Sequence, residues 1–368
     1  WELYAAGVLQ NPNILVIGSI GSRKSTLVKS MLFRGQAFNR RGWVTDPKGE
    51  YAALAEAMGG QVIRQAPGLG RVLNPLEVAT GGAEGLSQTE AKQRRLELLL
   101  ALAATALGRE VSPIEQTAVE IALVSLTEVT PTLPQVADAL LTPGKATAAQ
   151  VHMTVGAYSE ATRDAALVMR RMCSGDLAGM FDGPTNIAVD HDSPLVVLDL
   201  SEVYQHRGAA LPLVMTCATA WLQASPVLSR HLHYGVNEEA WATISDPALA
   251  RWQQQSYKLA RQTGRANVAV LHRLSDLTAA GAAGSEQVAL ARGLLEDAGT
   301  RVIYAQPHGE IQAARQLLGL TDTEAELLPH LPAGTALWKV AQRSFIVEHR
   351  ISAIERAIVD TDARMRIA

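Results

Sequence analysis

The sequence predicts an α/β fold with a mainly parallel sheet, interrupted by an all-helical subdomain. Three observations predict it. Short apolar runs alternate with helical spacing from residue 14 to residue 64, strand signal nearly vanishes between Ser87 and Met180, and apolar runs resume from Ser193. Alternating strands and helices build a parallel sheet, because each crossover returns the chain to the same end. These changes divide the chain into 1–86, the first part of the α/β core, 87–182, the helical insertion, and 183–368, the second part of the core with C-terminal strands and a helix.

Taken in order, "ILVIG" is the first strand and Ser25 to Phe38 a helix ending at "NRRG". "GWVTD" is a second strand, "EYAALAEAMG" a helix closed by glycine, and "QVIR" a third strand before the glycine-rich "APGLGRVLNPLE". The insertion holds "SQTEAKQRRLELLLALAATAL", "SPIEQTAVEIALVSLTEV", "TLPQVADALL" and "YSEATRDAALVMRRMCSG", all with helical spacing. "SPIE" and "TLPQ" have the spacing of capped helix starts. Strands then follow in "SPLVVLDL", "HYGVNEE", "ANVAVLH", "TRVIYAQ", "TALWKV" and "RSFIVEHRI", the last two forming an edge hairpin. The uncharged stretch from Gly208 to Ser229 contains Pro212 and Pro226 and reads as a buried helix with flanking turns, not a membrane span.

The chain has 368 residues, 48% hydrophobic and 19% charged, enough for a sizeable core and against whole-chain disorder. Its net charge of -3 gives no global footprint for nucleic acid. Cys173 and Cys217 are too few for a disulfide framework. No secretory signal is visible at "WELYAAGVLQ".

The chemistry concentrates in "GSIGSRKST", residues 18–26. A phosphate loop needs inward backbone N–H groups, a lysine for the terminal phosphates and a hydroxyl for magnesium. Gly18, Ser19, Ile20, Gly21, Ser22 and Arg23 form the loop, Lys24 reaches the β- and γ-phosphates, Ser25 the metal and Thr26 the α-phosphate. A strand before and a helix after meet the context that the motif requires. Arg23 stands where the usual loop has glycine, which tolerates unusual φ and lets the chain approach phosphate closely; a side chain loses both freedoms. Its side chain either points outward or adds a cation beside the polyphosphate.

Hydrolysis also needs acids at a strand end, one near Mg2+ and one polarising water. Asp199 ends the apolar strand "PLVVLDL", and Glu238–Glu239 end "HYGVNEE". Spacing alone leaves the two candidates open. Asp46, Lys48 and Glu50, just beyond a strand, either touch nucleotide or a neighbouring subunit or form a charged turn.

Read in order, "GSIGSRKST", "DPKGEY", "LNPL", "FDGPTNIAV", "VVLDLSE", "NEEAW" and "LARQTGRANVAVLHRLSDL" resemble the ATPase domain of conjugative type IV secretion systems, of the VirB/TraC type. That family belongs with the HerA/FtsK-like motors, and the likeness spans nearly the whole chain. It implies a RecA-like P-loop NTPase fold, a homo-hexamer with ATP and Mg2+ at subunit interfaces, and hydrolysis that drives transfer. It further implies a cytoplasmic position, docked on the membrane through other secretion or conjugation subunits, with DNA or protein as cargo. Carried over by position, Glu238 takes the metal-side place and Glu239 the water-polarising place, which leaves Asp199 a structural role. Glu238 stands where aspartate is usual. His272 stands where similar proteins place a glutamine that senses the γ-phosphate. Arg261 matches the arginine of an Arg-Lys pair whose lysine is here Gln262.

Arg23, Glu238 and His272 together motivate a second reading, a nucleotide-binding scaffold with weakened catalysis. A DNA-translocating ATPase is a third, opposed by the acidic net charge, and a small-molecule kinase a fourth. Arg265 and Arg301 are either arginine fingers or ordinary surface arginines, and Trp241 reads as a packing residue.

Overall fold

The computed structural model describes residues 11–78, 86–126, 130–175, 177–190, 192–224, 231–260, 264–275 and 286–360. They divide into two units. One contains the sheet and is made of 1–64, 190–201 and 227–368; the other is helical and is made of 65–189 and 202–226.

Every run read as a strand forms one. The described strands are β1 (Ile14–Ile17), β2 (Arg41–Asp46), β3 (Gln61–Arg64), β4 (Leu195–Asp199), β5 (His233–Asn237), β6 (Arg265–Leu271), β7 (Thr300–Ile303), β8 (Thr335–Val340) and β9 (Arg343–Glu348). Their order across the sheet is β3-β4-β2-β5-β6-β1-β7-β8-β9. All neighbouring pairs from β3 to β7 are parallel, whereas β8 runs antiparallel to both β7 and β9. The edge hairpin is therefore present.

β1 is apolar without alternation because both faces of the sheet are covered. Ile14 and Val16 pack in one buried layer with Val44, Val197 and Val268. Leu15 and Ile17 pack in the other with Ala269, Leu271 and Ile303. The sheet unit carries α1 (Lys24–Gly35), α2 (Ala52–Met58), α10 (Trp241–Ile244), α11 (Pro247–Leu259), α12 (Glu286–Glu296), α13 (Ile311–Leu318), α14 (Asp322–Leu327) and α15 (Ala353–Val359). The first helix is shorter than Ser25 to Phe38, because Gln36–Phe38 tighten into a 3-10 turn closed by Asn39 in the left-handed region.

The helical unit holds α3 (Gln88–Leu107), α4 (Pro113–Ser125), α5 (Leu133–Leu141), α6 (Lys145–Ala149), α7 (Val155–Ser174) and α9 (Leu211–Ala224), with α8 (Ser201–His206) at its start on the return from β4. The uncharged stretch thus supplies a buried helix, α9, and no helix among the described residues is long and apolar enough to cross a membrane. Cys173 and Cys217 are buried free thiols.

Both capped starts form. Ser112 accepts from Glu115 N–H, and the Glu115 carboxylate accepts from Ser112 N–H at 2.8 Å. The same carboxylate takes both ends of the Arg109 guanidinium at 2.8 Å. Arg109 holds Glu115 down at about 2, against 4.5 for a free side chain. A depressed carboxylate stabilises the fold above the unfolded value and loses that contribution as pH falls through the folded one. Glu115→Gln is therefore expected to flatten acid unfolding of the helices between about pH 4.5 and 2, followed by circular dichroism. Identical acid profiles would mean that the pair contributes nothing.

Candidate functional site

The loop between β1 and α1 is built by close approach. Gly18 N–H donates to Leu271 O at 3.3 Å and Ser19 N–H to Ala305 O at 3.1 Å, tying the loop to the ends of β6 and β7. A Cβ on Gly18 would lie 2.5 Å from Tyr304 Cβ, so only glycine fits. Gly21 has φ 79°, and a Cβ there would meet nothing within 4 Å, which leaves an open cradle at the loop's turn. Ile20 projects from the apex, 79% exposed. Ser22 is buried, and its N–H returns to Ser19 O at 3.3 Å.

The first intrahelical bond of α1 runs from Leu27 N–H to Arg23 O at 3.1 Å. The N–H groups of Lys24, Ser25 and Thr26 therefore have no acceptor within the helix, and the positive end of the helix dipole lies at the loop. Such an end suits an anion. Lys24 is buried, and its ammonium folds back onto Gly18 O at 2.6 Å and Ser19 O at 2.9 Å. Burial lowers its pKa to about 8, although Glu238 and Glu239 oppose the shift.

Arg23 caps α1 with φ 74° and ψ 30°, the left-handed region. Its side chain leans toward the start of β8, where Cδ and Nη1 lie 3.5 Å from the place of a Cβ on Gly334. β8 lies two strands from β1 on one flank, and β5, with its acids, two strands away on the other. The arginine side chain therefore lies toward the flank of β1 opposite Glu238 and His272. A non-glycine residue in this conformation costs roughly 1–2 kcal/mol. Arg23→Gly is expected to raise stability to urea by about 1 kcal/mol. An unchanged or lower midpoint would show that contact with Gly334 outweighs the strain.

Sheet order separates the candidate acids. β5 is two strands from β1 and β4 is four, which at ordinary strand spacing is about 10 Å against about 19 Å. Asp199 accepts Ser201 N–H at 3.0 Å and lies 3.6 Å from Arg64 Nε, so it orders the turn after β4. Glu238 and Glu239 directly follow β5, and His272 directly follows β6, the strand between β5 and β1.

The two glutamates have opposite surroundings. Burial pushes Glu238 up to about 7, with Asp46 adding to the shift and a hydrogen bond from Tyr51 Oη opposing it. Glu239 is also buried, which raises its pKa, but donors overcome this and hold it at about 2. Its Oε1 accepts from His272 Nε2 at 2.6 Å and pairs with Lys48 Nζ at 2.5 Å, while Oε2 accepts from Trp241 Nε1 at 2.5 Å. Glu239 itself sits at φ 53°, a strained backbone held by this network.

The charged turn after β2 divides its work. Asp46 accepts N–H groups from Lys48 at 3.2 Å, Gly49 at 2.9 Å and Tyr51 at 2.9 Å, and so shapes the turn. Lys48 reaches Glu239, and Glu50 pairs at 3.6 Å with Lys29, a fully buried lysine on α1. Lys29, Tyr51 and the Trp241 indole are the site residues that sequence reasoning missed. A lysine on the buried face of α1 was the available signal for Lys29, and Tyr51 lies inside "DPKGEY". Trp241 packs against the core as expected, but it also holds the carboxylate.

Arg261 lies outside the described residues. Arg265 begins β6 and so stands at the far end of that strand from His272. Arg301 donates to Leu295 O at 3.2 Å and Leu318 O at 3.0 Å, capping the ends of α12 and α13. Its engagement is that of a helix cap.

A parallel sheet with a phosphate loop after β1, a carboxylate pair two strands away and a polar residue on the strand between is the RecA-like P-loop NTPase fold. This is the class the architecture defines. The fold is similar to that of VirB4 of Thermoanaerobacter pseudethanolicus, with a TM-score of 0.73 and 18% identity over 94% of this chain and 91% of that one. It is also similar to the bacterial conjugative coupling protein TrwBΔN70, with a TM-score of 0.59 and 16% identity over 95% and 89%. TrwB in complex with ADP and Mg2+ gives a TM-score of 0.58 and 15% identity over 92% and 86%. No protein-family model matches the sequence, and no curated protein matches it.

Proposed function

We propose that this chain is an ATP-binding motor domain that energises conjugative transfer or type IV secretion by hydrolysing Mg-ATP in a ring-shaped homo-hexamer. The observation that carries the reading is that the loop leading to Lys24 comes just after β1, His272 just after β6 and Glu239 just after β5, three adjacent parallel strands. In this reading residues 18–26 cradle the phosphates, Lys24 neutralises the β- and γ-oxygens, and Thr26 meets the α-phosphate. Ser25 and Glu238 would hold Mg2+. Both offer hard oxygen donors, the set this ion takes when most of its shell is phosphate and water, and the ion would neutralise charge on the phosphates. Glu239 takes a proton from water, the water oxygen attacks the γ-phosphorus, and the bond to ADP breaks to release phosphate. His272 orients Glu239, and Arg261 belongs to the same set by position. The helical segment 87–182 is an insertion in this motor.

The likeness to VirB4 and TrwB supports the apparatus, and the TrwB complex with ADP and Mg2+ supports the nucleotide and the ion as ligands. Partners are then further copies of the chain and other secretion or conjugation subunits at the inner membrane face, with DNA or protein as cargo. The working place is cytoplasmic, peripheral to the membrane. Phosphate release from Mg-ATP, measured on the assembled oligomer beside ATP binding by calorimetry, tests the proposal. Binding without release in any assembly state would favour a weakened scaffold, the reading that Arg23 in a strained conformation motivates. DNA-stimulated turnover that falls steeply with salt would favour DNA translocation.

A further inference from the structure

We propose that Lys48 is a ligand of the γ-phosphate, held on the Glu239 carboxylate until nucleoside triphosphate draws it away. This rests on the reading of residues 18–26 as a nucleotide site. Lys48 lies 2.5 Å from Glu239 Oε1 and 3.1 Å from His272 Nε2, so it contacts both the proposed base and the residue that orients it. Its backbone is fixed, because Asp46 grips the N–H groups of Lys48, Gly49 and Tyr51. The side chain is 33% exposed and reaches the site on a flexible four-carbon stem. Movement of the ammonium therefore needs only rotamer changes.

Electrostatics favours that movement. Lys24 and Lys48 carry like charges close enough to act on each other. Like ammonium charges repel each other, and a phosphate group that both reach turns the repulsion into two attractions. In the arrangement without nucleotide, Glu239 is bound by three donors, Lys48, His272 and Trp241. A carboxylate so engaged is a poor proton acceptor. Transfer of Lys48 to the terminal phosphate removes one of these donors and supplies positive charge where the transition state needs it. A diphosphate leaves the terminal position empty and leaves Lys48 on Glu239. The same lysine thus reports the γ-phosphate and releases the base.

The test is calorimetric titration of the chain with Mg-AMP-PNP and with Mg-ADP, comparing wild type with Lys48→Met and Lys48→Arg. Lys48→Met is expected to weaken AMP-PNP binding by about tenfold or more, the scale of a charge-assisted bond, and to leave ADP binding unchanged. Lys48→Arg, which keeps the charge, is expected to recover part of the loss. Equal loss for both nucleotides, or loss for neither, overturns the assignment. The titration is repeated in a Glu239→Gln background, where the AMP-PNP loss is expected to persist. A loss that vanishes there means that Lys48 only masks the carboxylate, and also overturns it. A wild-type chain that binds neither nucleotide overturns the phosphate-loop reading and this assignment with it, a failure visible before any substitution.

Discussion

Glu239→Gln lowers phosphate release from Mg-ATP by about 10²- to 10³-fold and leaves binding of a non-hydrolysable analogue intact, the expected result for loss of a general base. The substitution preserves shape. The glutamine oxygen still accepts from Trp241 Nε1, which now holds the carboxylate at 2.5 Å, and the side chain keeps its length toward His272. What is lost is the negative charge that accepts the proton of water. The fold should tolerate the change, because glutamine has much the same access as glutamate to the positive φ of 53° that this position requires. Thermal unfolding measured beside turnover checks this. A fall of less than about threefold, with the protein folded, is too small for a general base and would remove Glu239 from that role.

Lys24→Ala acts one step earlier. Loss of the ammonium is expected to weaken binding of the analogue by roughly 10- to 100-fold, the range for a charge-assisted hydrogen bond, and to reduce turnover at subsaturating ATP by at least as much. Stability is expected to hold, which separates the effect from misfolding. Lys24 is 3% exposed, and burial already lowers its pKa to about 8, so alanine removes a cation that the fold has desolvated. Its two hydrogen bonds are to Gly18 O and Ser19 O, inside the loop itself, and no strand depends on them. Calorimetry with the analogue and a urea titration on the same sample test both halves. Unchanged affinity would show that the loop does not hold phosphate through this lysine.

The strands and the main helices of the insertion could be read from the sequence because they are local patterns. Continuous apolar runs such as Ile14–Ile17 are what a strand covered on both faces requires. Ser112 and Glu115 announce α4 within four residues. The helix Pro247–Leu259 was missed although a signal was present, since Asp246 accepts from Ala248 N–H and Leu249 N–H ahead of Pro247. Its buried face, Leu249, Trp252, Gln253 and Tyr257, has helical spacing but places a glutamine among the apolar positions, which blurs the stripe.

The conformation of the loop at residues 18–26 was legible for the same reason as the strands: the residues are contiguous, and a strand, a tight turn and a helix start suffice to form it. The sequence by itself therefore determined the fold class, the loop and the competing acids. Spacing left those acids open and only the resemblance assigned them; the tertiary structure adds the physical distinction, because Asp199 ends β4 and Glu238 follows β5, strands of different rank from β1. Rank is set by crossovers between residues far apart in the chain, and no local pattern encodes it. Lys48 meets Glu239 across 191 positions because β2 and β5 are neighbours, and Arg23 turns toward Gly334 because β8 folds back beside β7. Chemistry held within one turn of chain is written locally, and chemistry assembled from several strands exists only once the sheet has closed around it.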